Sequence, residues 1–336
     1  MKILFTGGLG YIGSHTAVEV LNAGHEVVIV DNLSNSKISV LDKIKEITKK
    51  DVTFYQIDVC DRDALEKVFE ENKDIFAVIH FAGFKAVGES CKEPLKYYQN
   101  NMISTFNLIE VMNKYNCKNF IFSSSATVYA VSDIMPIDES FPLSASNPYG
   151  RTKLFNEHVL IDYHEANPDF NAILLRYFNP IGAHESGLLG EDPNGIPNNL
   201  MPYICKVAVG ELDHLNVFGN DYKTKDGTGV RDYIHVVDLA IGHVKALEKM
   251  IQENVGVKIY NLGTGTGYSV LDIVNAFNRV NGDLVKYEIT ERRPGDIDEC
   301  YASPKKAEEE LGFKAVRGLD EMCKSSYEFN KNNKIK

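Results

Sequence analysis

Gly7, Gly10 and Gly13 stand in a GxxGxxG spacing between a short apolar run, Ile3 to Thr6, and an amphipathic stretch, Ile12 to Ala23. A strand that runs into a tight glycine turn and then a helix is the start of a parallel sheet with a crossover, not a hairpin. The glycines let the backbone turn sharply and approach a pyrophosphate closely, and the helix start offers free amides at its positive end. The next apolar run, Val27 to Val30, ends at Asp31. A carboxylate about 20 residues after the glycines accepts hydrogen bonds from the adenosine ribose hydroxyls and repels a 2'-phosphate, so NAD is expected in preference to NADP. Asp58, after a third run, suits an adenine contact and equally the cap of the following helix.

The same alternation continues. Short strands are expected at Val52 to Ile57, Ala77 to Phe81, Phe120 to Ser123, Ala172 to Arg176 and Lys258 to Leu262, with helices at Arg62 to Asn72, Thr105 to Tyr115, from Tyr149 and at Val236 to Met250. That pattern predicts an α/β fold, a Rossmann-type doubly wound parallel sheet. The chain of 336 residues is long enough for a second, smaller α/β domain. Residues 1–176, rejoined by about 234–262, are expected to form the nucleotide-binding domain, and 177–233 with 263–336 the substrate domain. The stretch Asn179 to Asn199, rich in Gly, Pro and Asn, reads as long loops, and the cluster Gly263 to Gly267 as a plain strand-to-helix loop. The tail, 330–336, is expected to fray.

Several function classes fit poorly. The formal net charge of −11 argues against a nucleic-acid partner, and no apolar run approaches the roughly 18 residues a membrane span needs. The apolar start is a first strand, not a secretion signal. Six scattered cysteines without a CxxC pair, and nine histidines without HExxH, predict neither disulfides nor a metal site, and point to a reducing cytoplasm. His80 reads as a packed strand residue.

Tyr149 and Lys153 form a YxxxK pair, with Ser125 upstream. Residues four apart share a helix face, so phenol and ammonium meet in one pocket. A free tyrosine has a pKa of about 10, and a nearby cation favours the phenolate, giving a base that works near neutral pH. Lowering it by roughly 3 units takes about 4 kcal/mol, more than one lysine readily supplies; a positively charged oxidised nicotinamide would add to it.

Longer motifs extend this. They include Thr6-Gly7-Gly8-Leu9-Gly10-Tyr11-Ile12-Gly13, His80-Phe81-Ala82-Gly83-Phe84-Lys85, Ser123-Ser124-Ser125-Ala126-Thr127-Val128-Tyr129, Leu175-Arg176-Tyr177-Phe178-Asn179-Pro180, Gly195-Ile196-Pro197-Asn198-Asn199-Leu200 and Gly229-Val230-Arg231-Asp232-Tyr233. With them the chain resembles the extended short-chain dehydrogenase/reductase superfamily, and within it the enzymes that epimerise nucleotide sugars at C4. The resemblance covers nearly the whole chain. It implies reversible exchange of UDP-glucose and UDP-galactose through a 4-keto intermediate with tightly held NAD, in a homodimer joined by helices near 101–115 and 150–166.

Residue by residue, the resemblance implies Tyr149 as base, Ser125 as its assistant and Lys153 on the nicotinamide ribose. Tyr11, Ile12, Asp31, Asn32, Asn35, Asp58, Val59, Phe81, Ala82, Lys85, Asn100 and Phe178 would join the glycines near NAD, with Phe178 over the nicotinamide. Asn179, Asn199 and Leu200 would contact the UDP-sugar, Val217 and Phe218 the uracil, Arg231 and Arg293 the diphosphate, and Asp296 the uridine ribose. Cys300 falls where some relatives carry a tyrosine near the sugar, and its small side chain leaves room for an N-acetyl group unless Tyr301 refills the space. Ala130 replaces a glycine after Thr-Val-Tyr, a local loop matter. A 4,6-dehydratase would carry an acidic pair after its active-site Ser or Thr, where this chain has Ala126, Thr127 and Val128. A silent NAD-sensing protein would more plausibly have lost Tyr149, Lys153 or Ser125.

Overall fold

The computed structural model of the chain describes residues 1–193, 195, 197–293 and 295–334. Ile196, in the loop motif before Asn199, Pro294, beside Arg293, and the last two residues of the expected frayed tail lie outside the described residues.

In chain order the first half runs β1 (Lys2–Thr6), α1 (Tyr11–Asn22), β2 (Glu26–Val30), α2 (Val40–Thr48), β3 (Thr53–Tyr55), α3 (Arg62–Glu71), β4 (Ile75–His80), α4 (Val87–Lys92), α5 (Pro94–Lys114), β5 (Asn119–Ser125), α6 (Pro148–Ala166) and β6 (Asn171–Tyr177). The second half runs β7 (Asn179–Ile181), α7 (Leu200–Ala208), β8 (Leu215–Phe218), β9 (Val230–His235), α8 (Val236–Gln252), β10 (Val257–Leu262), β11 (Gly267–Ser269), α9 (Val270–Asn281), β12 (Tyr287–Thr290), β13 (Glu299–Cys300), α10 (Lys305–Leu311) and α11 (Leu319–Lys334). Seven strands make one parallel sheet in the order β10-β6-β5-β4-β1-β2-β3. The order reverses between β1 and β4, and in open α/β sheets a ligand binds outside the carboxyl ends of the strands at such a point.

Strand residues such as Leu4, Ile29, Val78, Ile121 and Leu174 are fully or almost fully buried, because helices cover both faces. One apolar cluster joins the sheet to α1 and α8, and a second joins its other face to α3 and α5. A third core, including Met201, Ile204, Tyr233, Phe277 and Met322, holds α7, α9 and α11 around the smaller sheets.

Four elements differ from the sequence expectation. The helix expected from Thr105 begins at Pro94, with proline in its first turn, where a missing amide costs nothing. Its early turns bury Tyr97, Asn101 and Ser104, so polar side chains occupy positions where a hydrophobic pattern would be sought. The third strand is only three residues long, Thr53–Tyr55, and leaves Asp58 in the following loop. Within the stretch read as loop, Asn179–Ile181 pairs in parallel with Tyr233–His235. The helix α11 runs to Lys334, well into the tail expected to fray.

Candidate active site

A cavity of about 560 Å³ opens at the carboxyl ends of the central strands. Its wall contains Gly7, Gly10, Tyr11, Ile12, Gly13, Asp31, Asn32, Asn35, Asp58, Val59, Phe81, Ala82, Lys85, Asn100, Tyr149 and Lys153. Of the residues expected near a dinucleotide, only Ser125 and Phe178 are not in that wall.

The floor is the glycine turn. Gly7 has φ +67°, and a Cβ there would lie 2.8 Å from the Ala82 amide nitrogen; a Cβ on Gly13 would lie 2.6 Å from the Gly7 carbonyl. Any side chain would push β1, the turn and β4 apart. Gly10 caps α1 with no side chain to satisfy the first-turn amides, which therefore remain for an anion. The buried Asp31 carboxylate accepts from the amides of Leu9 at 3.1 Å and Leu33 at 2.9 Å, and from the Ser36 hydroxyl at 2.8 Å. It braces the glycine turn and still has acceptor capacity for a ligand hydroxyl. Asn32 Nδ2 donates to Asp58 at 3.0 Å, tying the ends of the second and third strands together. A glycine cradle that no Cβ could enter, free helix-start amides and an anchored carboxylate fit a dinucleotide with an unphosphorylated ribose.

Tyr149 and Lys153 lie on the first turns of α6. Asn147 starts this helix by accepting from the Gly150 amide at 2.9 Å, and Pro148 follows at the first helical position. The Lys153 ammonium donates to the Ser123 carbonyl at 2.6 Å and sits 4.9 Å from the Phe122 ring centroid. Burial brings its pKa down to about 8, against which the charge of Glu157 acts. Lys153 does not pair with Glu157, four residues on: both are buried, and Glu157 pairs with Arg176 at 2.6 Å.

The expectation of a lowered Tyr149 pKa needs correction. Burial raises it, and the Ser125 hydroxyl beside it pulls only partly the other way. Lys153 alone does not overcome the dry surroundings, which is why a second positive charge at the ring would matter. The Ser125 Oγ accepts from the Thr127 amide and hydroxyl, at 3.2 and 3.0 Å, at the head of the short 3₁₀ turn Ala126–Val128. Phe178 is buried, its amide donating to the Leu262 carbonyl. Tyr177, the residue before it, lines the cavity wall, its hydroxyl hydrogen-bonded to His243.

The residues expected on the sugar side are more scattered. Asn199 caps α7 and lines the cavity, its Nδ2 donating to Glu191 at 2.9 Å. Asn179 is on β7, Leu200 opens α7, and Val217 is buried in β8 beside the exposed Phe218. The Arg293 guanidinium lies 4.9 Å from the Phe218 ring centroid and its Nε donates to Asp296 at 2.9 Å. The charges of Arg231, Arg293 and Asp296 all act on the buried Tyr233 hydroxyl, so the three gather around one residue of β9. Cys300 pairs in register with Arg231 and packs against the cluster of Val128, Tyr129, Ala145 and Leu154, within reach of the Ser125 turn. Burial pushes its thiol up to about 11. The second glycine cluster closes around Asp232, which accepts from the amides of Thr264, Gly265 and Ala302 at 2.9 to 3.1 Å.

A family model described as GDP-mannose 4,6 dehydratase matches residues 4–326. The UDP-glucose 4-epimerase of Bacillus subtilis (strain 168) is 62% identical over 99% of this chain and 98% of its own. The chain belongs to the UDP-glucose 4-epimerase family. The crystal structure of the Bifidobacterium longum UDP-glucose 4-epimerase, in complex with NAD+ and UDP, superposes with a TM-score of 0.96 at 53% identity, covering 99% of each chain. That of the Stenotrophomonas maltophila UDP-glucose-4-epimerase, with NAD and formylated UDP-arabinopyranose, gives 0.97 at 46% identity over 100% and 99%. No acidic residue follows Ser125 before Asp133.

Sequence reasoning passed over four residues that the structure brings to these sites. Tyr177 is one. Glu191 lines the cavity and receives both Lys85, at 3.3 Å, and Asn199. Lys37 pairs with Asp192 across the cavity mouth. Arg292 stacks 3.8 Å over the Tyr222 ring and pairs with Asp221 at 2.6 Å. Arg292 left a signal as the first half of an Arg-Arg pair, and Tyr177 stands inside the Leu175 to Pro180 motif.

Proposed function

We propose that this protein interconverts UDP-glucose and UDP-galactose by oxidising and re-reducing C4 of the hexose. The observation that carries the reading is that Tyr149, half-buried, and Lys153, buried, stand together in the wall of the cavity floored by the glycine cradle. NAD, when bound, supplies the acceptor for the C4 hydride and its return. The wall residues from Gly7 to Lys153 named above hold it, the helix-start amides of Tyr11 and Ile12 receiving its pyrophosphate and Asp31 its adenosine ribose.

Tyr149 takes the proton of the sugar 4-hydroxyl, and Ser125 hydrogen-bonds the same oxygen. Lys153 holds the nicotinamide ribose and adds positive charge beside the phenol. Tyr149 then gives its proton back to the C4 oxygen as the hydride returns to the other face of C4. Inversion requires the sugar to turn between the two steps, while the UDP moiety stays fixed. Arg231 and Arg293 suit that anchoring, since forked guanidiniums bind phosphate oxygens in pairs. Asn179, Asn199 and Leu200 complete the anchor, with Val217 and Phe218 at the uracil and Asp296 at its ribose. Asp296 exchanges its pairing with Arg293 for the ribose hydroxyls at small cost, because exposed ion pairs contribute about 0–1 kcal/mol.

Residues 1–176 with about 234–262 act as the NAD-binding body, and 177–233 with 263–336 as the UDP-sugar part. Two protomers associate through α5 and α6, a reading supported by the exposed Ile103, Phe106 and Phe155 on those helices. The enzyme works in the cytoplasm, in galactose metabolism. Cys300 admits the N-acetyl group of UDP-GlcNAc and UDP-GalNAc. Tyr301 supports this by turning away, toward Gly267. Steady-state assays on both substrate pairs test it, and no N-acetyl turnover beside full glucose-series activity would refute it.

The activity itself is tested by incubating the purified protein with UDP-galactose and no added NAD. UDP-glucose forms if the cofactor is retained; NADH released in proportion to sugar consumed would mark a dehydrogenase instead.

A further inference from the structure

Arg176 and Glu157 take no direct part in the chemistry above, yet they form a charged pair beneath it, and each is 1% exposed. Arg176 Nε and Nη2 donate to the two Glu157 oxygens at 3.0 and 2.6 Å, and the Ser124 hydroxyl donates to the same carboxylate. Arg176 Nη1 donates to the Tyr129 hydroxyl at 3.0 Å, which donates in turn to Asn261 at 2.6 Å. Burying such a pair is costly in itself, and well-packed apolar residues often serve stability as well.

Its placement suggests a purpose. Glu157 follows Lys153 by four residues on α6, the spacing at which a carboxylate and an ammonium meet on a helix face. Yet the ammonium donates to the Ser123 carbonyl. Both carboxylate oxygens are already occupied.

We propose that Arg176 is a positioning residue: by holding both oxygens of Glu157 it keeps that carboxylate off Lys153, so the ammonium stays turned to Ser123 and the cavity beside Tyr149. The same carboxylate, through Ser124, fixes the end of β5 that carries Ser125, where Ser124 is in register with Arg176 and Ser125 with Tyr177. The inference rests on the roles given to Tyr149 and Lys153 under the proposed function.

Of the other groups around Arg176, Glu157, Tyr149 and Lys153, burial raises the phenol of Tyr129, which faces Arg176, and the carboxyl of Glu139 beyond it. From β4, burial keeps His80 neutral, with its pKa brought down to about 3; from α5 and β6, burial raises the phenols of Tyr97 and Tyr177. From β5 come the hydroxyls of Ser123 and Ser125. Beyond Arg176, the Glu139 carboxylate accepts from the Asn261 amide. Removing one member of the pair therefore leaves one unbalanced charge near Tyr149 and Lys153. Without the Glu157 charge the phenolate is favoured and the ammonium disfavoured, so both titrate at lower pH. Without Arg176 both titrate at higher pH, and Glu157 is free to take the ammonium.

The test is the pH profile of kcat/KM for UDP-galactose, together with the near-ultraviolet titration of the Tyr149 phenolate, read as the difference from Tyr149→Phe on each background. Glu157→Gln, which keeps the shape, is expected to move profile and titration down by about one pH unit, the order expected of one charge a helical turn away. Arg176→Gln should move both up by a similar amount, and the double variant should return them to within a few tenths. Lower activity without lateral displacement, or displacement in the same direction by both variants, would overturn the proposal. If Arg176→Gln does not fold, Glu157→Gln and the double variant decide it alone. Full turnover in Tyr149→Phe would instead refute the base assignment, and the phenolate titration would still report on the pair.

Discussion

The two halves of the site hold their ligands by different means. On the dinucleotide side the structure uses backbone: a glycine turn with φ +67° at Gly7, open helix-start amides and a buried Asp31 that braces the turn. These parts come from the ends of neighbouring strands in one sheet and are already in place. On the sugar side it uses long side chains from separate elements, with Arg293 53% exposed and paired to Asp296. Backbone cannot be rearranged locally, whereas exposed arginines exchange partners at little cost. One side suits a cofactor that stays and the other a substrate that enters, turns and leaves.

The largest effect that would sharpen this contrast is at the boundary between the halves. Tyr149→Phe is expected to lower kcat by about a thousandfold, within the range of a positioned acid or base, while bound NAD, measured after denaturation, stays unchanged. Unchanged turnover would remove Tyr149 from the chemistry. Next, Gly13→Ala puts a Cβ 2.6 Å from the Gly7 carbonyl and should yield folded protein with most of its NAD lost. Full NAD content in that variant would break the comparison from the cofactor side. Arg293→Ala should raise KM for UDP-sugars about 10- to 100-fold, as expected for one charge-assisted hydrogen bond, with NAD content intact. Loss of NAD there would break it from the sugar side.

The smallest effect concerns the dry wall of the cofactor half. His243, fully buried beside Tyr177 and Phe81, has its pKa lowered to about 4 by burial. Because the folded value lies below the unfolded one, its contribution to stability is present above about pH 6.5 and is lost as pH falls toward 4. Between pH 7 and 5 that is at most about 2 kcal/mol. Denaturant unfolding should show a shallower pH dependence in His243→Gln than in the natural chain; equal slopes would mean that His243 is not held neutral.

The same contrast decides what could be read in advance. Gly7, Gly10, Gly13 and Asp31 announce themselves because a backbone site needs particular residues at fixed offsets, and the period of the surrounding strands and helices is regular. Tyr149 and Lys153 share a helix face for the same reason. Asn101 and Tyr97 were not legible as an inward face, since polar residues satisfied by partners such as Thr152 and Glu89 look like surface residues in a sequence. Arg231, Arg293 and Asp296 meet only because the loops after β8 and β12 converge on β9, and no local spacing encodes that convergence; resemblance alone nominated them. Glu191 and Lys37 depend on the segment after β7 folding back over the cavity, which is equally remote from any local pattern.

The most direct measurement follows the hydrogen on C4. UDP-galactose carrying deuterium at C4 is converted in ordinary water, and the UDP-glucose is analysed for deuterium at the same carbon. Retention at C4 is predicted, because the hydride leaves and returns within one closed site. Loss of the label to solvent would contradict epimerisation through a 4-keto sugar by hydride return.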